Sequence, residues 1–181
     1  MYLGNCIKNL NKKYQKIFFS GIAFDSSKVK KGNIFFAIKG NKLDGNNFIL
    51  DAIKKGSKII VSKKKISYKN KDIIFIKSKN PRKLLAELSF KFLKNNPRKL
   101  ISVTGTNGKS SVANFYYQIL DLNKKKAASI GTIGIHSKNQ KKKAENTTLD
   151  PIKLSKIINK LCAKKIDHII LEASSHGLKQ N

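Results

Sequence analysis

"VTGTNGKSSV", residues 103–112, stands between an apolar stretch at 99–103 and a segment with helical periodicity. A strand, a glycine loop and a helix in this order form a common binding site for phosphate groups. Gly105 and Gly108 permit positive φ and carry no Cβ, so backbone N–H groups between them can converge on an anion. The stretch therefore predicts a phosphate-binding loop in an α/β protein.

The side chains after the second glycine add chemistry to this loop. Lys109 is placed to reach the outer phosphates of a nucleotide, and the hydroxyl of Ser110 to contact a bridging Mg²⁺. The spacing is G-x-x-G-K-S, because Val103 stands where the common form has its first glycine. A plain turn before a helix is the alternative, but the flanking strand and helix favour binding of a nucleotide together with Mg²⁺. The predicted nucleotide-binding residues are Gly105, Thr106, Asn107, Gly108, Lys109, Ser110 and Ser111.

The second half of the chain reads as longer βαβ units. Strands are predicted at 99–103, 127–135 and 168–174, and the first is a continuous apolar strand of the kind that is buried in a parallel sheet. A helix begins at Asp150 and Pro151, a cap residue followed by proline. The helix after the loop is predicted to bury one apolar stripe, formed by Val112, Phe115, Tyr116 and Ile119. Glu172 falls at the C-terminal end of a predicted central parallel strand, where open α/β sheets bind ligands. Its carboxylate is a candidate second protein ligand for Mg²⁺.

The first half alternates shorter strands and helices. The strands are predicted at 17–24, 33–40, 58–62 and 72–77. A helix is predicted at 47–56, with Gly56 as its left-handed stop, and another begins with the cap residue Asn80 and Pro81. The polar stretch 94–99 is the candidate linker. We therefore predict an α/β chain with two domains, a small N-terminal α/β domain at 1–97 and the first part of a parallel-sheet ATPase domain at 98–181.

Composition limits the classes of function. The chain has 181 residues and a net charge of +29, which invites a nucleic-acid interpretation. Only Arg82 and Arg98 are arginine among 39 basic residues, and the lysines are scattered among residues with AT-rich codons, so we do not expect a nucleic-acid partner. The two cysteines are far apart and predict neither a disulfide nor a zinc site. With no signal or membrane-spanning pattern, we expect a cytoplasmic protein.

Several segments resemble one enzyme family. TGTNGKSS resembles the ATP-binding loop of the Mur ligases, the ATP-dependent enzymes that add amino acids to the cell-wall precursor. Residues 24–61, ENTTLDP at 145–151 and LEASSHGLKQ at 171–180 resemble the branch that adds the third amino acid. Sibling ligases and folylpolyglutamate synthetases share the glycine loop but not S-S-H-G-L. These siblings, and a basic P-loop ATPase acting on nucleic acid, remain the alternatives.

The resemblance implies an acid–amino acid ligase of peptidoglycan synthesis, and hence a role in cell shape and division. Its substrates would be UDP-MurNAc-L-Ala-D-Glu and a diamino acid, meso-diaminopimelate or else L-lysine. The implied catalytic residues are Lys109 and Glu172, and the implied metal ligands are Ser110 and Glu172. The implied substrate contacts are Ser26, Asn41, Lys42 and Leu43 in the first domain, and Asn146, Thr147, Thr148, Ser174 and Gln180 in the second. Ser27 departs from the family, which usually has arginine there.

The predicted second sheet is short, and the resemblance implies further parts of the enzyme beyond Asn181. These are an activating lysine, an arginine after S-S-H-G-L and a C-terminal domain. We expect a monomeric N-terminal fragment that is inactive as a ligase by itself.

Overall fold

A computed structural model describes residues 1–8, 10–40, 43–64, 66, 70, 72–132, 134–138, 140–142 and 149–173. The chain divides into two compact units, Met1–Lys91 and Phe92–Asn181. The predicted linker at 94–99 lies just inside the second unit. The domain boundary at residue 97 therefore stays a prediction, and it lies close to the division between Lys91 and Phe92.

The first unit is built on a four-stranded parallel sheet with the order β1-β2-β3-β4. Its strands and α-helices are β1 (Gly21–Ala23), β2 (Asn33–Ala37), β3 (Ile59–Ser62), β4 (Ile74–Lys77), α1 (Lys12–Gln15), α2 (Ile49–Lys54) and α3 (Pro81–Lys91). Short 3₁₀ helices lie at Leu3–Asn5, Ser26–Lys28 and Gly45–Phe48. The central strands β2 and β3 are buried along their whole length, including the polar residues Asn33 and Ser62.

Helix α2 and the sheet share an apolar core. Phe35 and Ile60 are fully buried there, together with Ala52 from α2. The predicted helix stop at Gly56 is confirmed, since its φ is +93° and its N–H donates to the carbonyl of Ile53. The predicted start of α3 is also confirmed, because the Asn80 side chain accepts a hydrogen bond from the N–H of Lys83.

One predicted strand of the first unit was too long. The sequence predicts a single strand at 17–24, but only Gly21–Ala23 joins the sheet. Residues 17–19 pair with the chain terminus instead, through Leu3 N–H to the Ile17 carbonyl at 2.9 Å and Phe19 N–H to the Met1 carbonyl at 2.9 Å. Pairing with the terminus satisfies backbone N–H and C=O groups as well as pairing in the sheet does. The local sequence therefore does not show where a strand-like stretch leaves the sheet.

The second unit contains a five-stranded sheet with the order β5-β9-β6-β7-β8. Its elements are β5 (Lys99–Val103), α4 (Lys109–Leu122), β6 (Ala127–Gly131), β7 (Gly134–Ser137), β8 (Gln140–Lys142), α5 (Pro151–Ala163) and β9 (His168–Glu172). Strands β5, β9 and β6 are parallel, whereas β7 and β8 are antiparallel to their neighbours. Helix α4 packs against β5, β6 and β9.

Three predictions for the sheet of this unit were wrong. The strand at 127–135 is two strands, because the chain reverses after Gly131 and Gly134 pairs with Gly131. The sheet is consequently mixed, with five strands rather than three parallel ones. Strand β5 was predicted to be buried, yet within the described residues it is the terminal strand of its sheet and Leu100 is 45% exposed.

The predicted buried stripe of α4 is also wrong. Its four members are all exposed, Val112, Phe115, Tyr116 and Ile119. The helix instead buries Ala113, a small residue that permits close approach to the sheet. By contrast, α5 begins as predicted, with Pro151 in its first turn and the Asp150 side chain accepting from the N–H of Lys153 at 2.9 Å. No helix in the described part of the chain combines the length and the hydropathy needed to cross a membrane.

Candidate phosphate and magnesium site

The glycine loop joins the end of β5 to the start of α4. Gly105 has φ of +155° and Gly108 has φ of +75°, and both values disfavour residues with a Cβ. Gly108 is the N-cap of α4, whose first backbone bond runs from Val112 N–H to the Gly108 carbonyl. The remaining N–H groups of the first helical turn therefore point toward the loop, where the positive end of the helix dipole favours an anion.

Lys109 closes over the same loop. Its Nζ donates to the carbonyl oxygens of Gly105 at 2.8 Å and Thr106 at 3.1 Å. A phosphate oxygen can accept a hydrogen bond from the Lys109 ammonium group just as these carbonyl oxygens do. Because the phosphate is charged, its hydrogen bond to the ammonium group is the stronger one. The ammonium group is thus held at the mouth of the loop, where an incoming anion would meet it.

Glu172 approaches the loop from the neighbouring strand. Val103 and Glu172 are paired residues of β5 and β9, and the ladder continues with Ala173 N–H donating to the Val103 carbonyl at 2.9 Å. The predicted position of Glu172, at the C-terminal end of a strand flanked on both sides, is confirmed. This register brings the Glu172 carboxylate beside the first turn of α4.

The side chains of Ser110 and Glu172 meet directly. The Ser110 hydroxyl donates to Oε2 of Glu172 at 2.9 Å, although 62 residues separate them in the chain. Two adjacent ligands in the octahedral shell of Mg²⁺, each about 2.0–2.1 Å from the ion, lie about 2.9 Å apart. The two oxygen atoms therefore have a separation and a chemistry that fit one Mg²⁺ ion, and Ser110 and Glu172 would be its ligands from the described part of the chain.

Two residues of this site were missed by the sequence analysis. The Thr132 hydroxyl donates to Oε2 of Glu172 at 3.1 Å, and the Thr132 N–H donates to the same atom at 3.3 Å. Gly131 lies beneath the carboxylate, and a Cβ there would overlap Cδ and Oε1 of Glu172. The pattern at 127–135 predicts that Gly131 and Thr132 lie inside one long strand. The available signal was the repeated glycine in G-T-I-G, which marks a chain reversal.

Some of the other predicted site residues lie within the described part of the chain and others lie outside it. Thr106, Asn107 and Ser111 are exposed residues of the loop and first turn. In the first unit, Ser26 opens a 3₁₀ helix and its carbonyl accepts from Lys55 Nζ at 3.1 Å, while Leu43 is 67% exposed. The remaining predicted substrate contacts lie outside the described residues, namely Asn41, Lys42, Asn146, Thr147, Thr148, Ser174 and Gln180.

Ser27, which departs from the family pattern, has a local structural role. Its N–H and hydroxyl both donate to Oδ1 of Asp25, at 2.9 and 2.7 Å. These bonds, together with Lys28 at 3.0 Å from Oδ2, hold the pKa of Asp25 below its ordinary value. Asp25 is thus the N-cap of the short helix Ser26–Lys28, and Ser27 donates both hydrogen bonds to the capping carboxylate.

A parallel sheet edge, a glycine loop at a helix start and a paired serine and carboxylate define the class of P-loop-type nucleotide-binding α/β proteins. Comparison with known proteins narrows this class. Residues 19–92 match the Mur ligase family catalytic domain, and residues 103–181 match the Mur ligase middle domain. The chain belongs to the Mur ligase family.

Two relatives carry the same curated name, UDP-N-acetylmuramoyl-L-alanyl-D-glutamate--2,6-diaminopimelate ligase. The protein from Rickettsia conorii is 40% identical over 176 residues, which are 95% of this chain and 36% of the relative. The protein from Wigglesworthia glossinidia brevipalpis is 41% identical over 174 residues, which are 92% of this chain and 35% of the relative. The chain therefore spans about a third of the length of these relatives.

Solved structures agree with the fold. A structure of a UDP-N-acetylmuramoyl-L-alanyl-D-glutamate--2,6-diaminopimelate ligase superposes with a TM-score of 0.80 at 25% identity, covering 95% of this chain and 35% of that one. The MurF ligase of Thermotoga maritima in complex with ADP has a TM-score of 0.54 at 24% identity, covering 85% of this chain and 32% of that one. The second likeness concerns the fold alone.

Proposed function

We propose that this chain carries the uridine-nucleotide and ATP-binding parts of an ATP-dependent ligase that joins a diamino acid to UDP-MurNAc-L-Ala-D-Glu. The observation that supports it most directly is the meeting of Ser110 and Glu172 beside Lys109, at the sheet edge where the glycine loop lies. The likeness to diaminopimelate ligases favours meso-diaminopimelate over L-lysine as the amino acid. Peptidoglycan precursor synthesis in the cytoplasm, where ATP is available, is the proposed setting.

The reaction has two steps in this proposal. A carboxylate oxygen of the D-glutamyl residue attacks the terminal phosphorus of ATP, the bond to the bridging oxygen breaks, and ADP leaves. The amine of the diamino acid then attacks the acyl carbon, phosphate leaves with the electrons of the carbon–oxygen bond, and the amine gives up its proton. The product is an amide.

The described residues contribute binding and charge to the first step. Lys109 and the first-turn N–H groups of α4 bind the phosphate tail, whose negative charge would otherwise repel the attacking carboxylate. Ser110 and Glu172 would hold Mg²⁺, which would neutralise further phosphate charge. The predicted contacts of the muramoyl peptide, Asn146, Thr147, Thr148, Ser174 and Gln180, stay proposals, as do Ser26, Asn41, Lys42 and Leu43 for the uridine end.

Nucleotide binding by this chain tests the proposal. Lys109→Ala should weaken Mg-ATP binding by about tenfold or more, because a charge-assisted contact to phosphate is lost. Fluorescence titration with a labelled ATP analogue measures the dissociation constant. The matched control is Lys156→Ala, which removes the same charge from an exposed position of α5 and should leave binding within about twofold, as screened surface charges do.

A separate titration with UDP-MurNAc-L-Ala-D-Glu examines the first unit, with UMP as the comparison ligand. Equal loss of ATP binding in the two lysine variants would contradict a specific role for Lys109. Tight, steeply salt-dependent binding to RNA or DNA without any response to the uridine nucleotide would favour the nucleic-acid alternative.

A further inference from the structure

The turn that follows β6 lies against the carboxylate of the magnesium site. Gly131 is the last residue of β6, and Thr132 follows it directly. Oε2 of Glu172 accepts hydrogen bonds from Ser110 on one element and from both the N–H and the hydroxyl of Thr132 on another. The carboxylate is therefore held between the first turn of α4 and the end of β6.

Gly131 contributes by what it lacks. A Cβ at this position would overlap Cδ and Oε1 of Glu172 and would lie 2.6 Å from its Cγ. Gly131 is not among the glycines with positive φ, so its backbone conformation is open to alanine. The need for glycine here comes from the Glu172 side chain that passes over it.

The geometry points to a positioning role for Gly131 and Thr132, which hold Glu172 so that its Oε2 stays beside the Ser110 hydroxyl as a ligand for Mg²⁺. This inference rests on the proposed nucleotide-binding function. A glutamate side chain has three rotatable bonds, and a free carboxylate in so cationic a chain has many ammonium groups to pair with. The N–H and hydroxyl of Thr132 bind the Glu172 carboxylate, and the missing side chain of Gly131 leaves room for it. Together they restrict the carboxylate to one position.

Gly131→Ala is the sharpest probe, because the added methyl meets the far end of a flexible side chain rather than backbone. The protein should fold, with the Glu172 carboxylate displaced. Thr132→Val removes the hydroxyl donor but retains shape and the N–H donor, and it remains informative should Gly131→Ala fail to fold. Thr132→Ser restores the hydroxyl. Ser137→Ala, on β7 of the same hairpin, is the control.

The principal measurement is the magnesium enhancement, defined as the dissociation constant of ADP without Mg²⁺ divided by that with Mg²⁺. Gly131→Ala should lower the enhancement about tenfold, as is typical when the partner of a metal ligand is removed. Thr132→Val should lower it about threefold to tenfold, as loss of one hydrogen bond to a charged group predicts. Thr132→Ser and Ser137→Ala should stay within about twofold of the unaltered chain.

ADP affinity without Mg²⁺ separates positioning from general damage. Residues that act through Glu172 should leave this affinity unchanged, whereas a merely structural role would weaken it together with the enhancement. The second readout needs no nucleotide. The amide signal of Thr132 in a ¹H–¹⁵N correlation spectrum should move upfield in both Glu172→Ala and Gly131→Ala, because the amide loses its carboxylate acceptor.

Each outcome decides the inference. An undiminished enhancement in both Gly131→Ala and Thr132→Val overturns it, and so does an equal loss with and without Mg²⁺. Failure of the unaltered chain to bind ADP at all contradicts the proposed function, and the inference falls with it. The two failures are distinguishable, because the first leaves a normal enhancement in the unaltered chain and the second leaves none to compare.

Discussion

Asp25 shows how a single carboxylate contributes to the first unit. Its Oδ1 accepts two hydrogen bonds from Ser27, and these bonds lower the pKa of Asp25 below its ordinary value. Because the folded-state pKa is the lower one, the bonds stabilise the fold fully above about pH 4, the ordinary aspartate value. The contribution is lost as the pH falls through the folded-state pKa.

We expect Asp25→Ala to lower the free energy of unfolding by about 1 kcal/mol at pH 7, as is usual for loss of a capping side chain. The difference from the unaltered chain should be smaller at pH 3, because that pH lies below the ordinary aspartate pKa and the unfolded chain then binds a proton at Asp25 more readily than the folded chain. Urea denaturation at both pH values measures it. Asp25→Asn retains the capping oxygen without the charge. The difference in free energy of unfolding between Asp25→Asn and Asp25→Ala should therefore be nearly the same at pH 7 and pH 3. An equal deficit for Asp25→Ala at both pH values would contradict the assignment.

Helix α4 is the element whose packing differs most from its sequence pattern. Its apolar stripe is exposed, with Phe115 61% and Ile119 56% accessible, whereas Ala113 on another face is fully buried. An amphipathic pattern identifies the helix but not which surface it contacts. Contact with β5, β6 and β9 requires a small residue, because backbone and sheet approach closely there.

This packing predicts opposite effects for two substitutions on one helix. Phe115→Ser should change the free energy of unfolding of this chain by less than about 0.5 kcal/mol, because an exposed side chain loses little burial. Ala113→Leu should cost about 1–3 kcal/mol by overpacking. Thermal or urea denaturation of the two variants, compared with the unaltered chain, checks both values. A larger loss in Phe115→Ser than in Ala113→Leu would show that the stripe is buried in solution.

At the scale of the whole molecule, the large net positive charge affects the free energy of unfolding. An excess of 29 positive charges repels itself in the folded state more than in an expanded chain. Salt shortens the screening length from about 30 Å at 0.01 M to about 8 Å at 0.15 M. The repulsion should therefore weaken as salt is added.

We expect the free energy of unfolding to rise by on the order of 1 kcal/mol between 0.01 and 0.15 M NaCl. Urea denaturation at each concentration measures the change. Sucrose at matched osmolality is the control, and it should not reproduce the full effect of salt at so low a concentration. Stability that is constant or falls with NaCl would mean that the lysines are locally paired well enough to offset their repulsion.

Local sequence alone determined much of the fold. The glycine loop, the strand before it and the helix after it were predictable because each depends on residues close together in the chain: the positive φ at Gly108, the apolar stretch at 99–103 and the helical periodicity that follows. The caps at Asn80 and Asp150 were predictable for the same reason. Placement of Glu172 at the end of a central strand also followed, since parallel strands in a βαβ chain end at one edge.

Tertiary structure decided what depends on distant partners. Three features depend on which surfaces meet: the pairing of residues 17–19 with the chain terminus, the reversal after Gly131 and the exposed stripe of α4. One local sequence pattern is compatible with many such surfaces. The same applies to Thr132, whose hydroxyl donates to a carboxylate forty residues away. A hydrogen bond needs its two atoms within about 3.5 Å, and only the folded chain sets that distance.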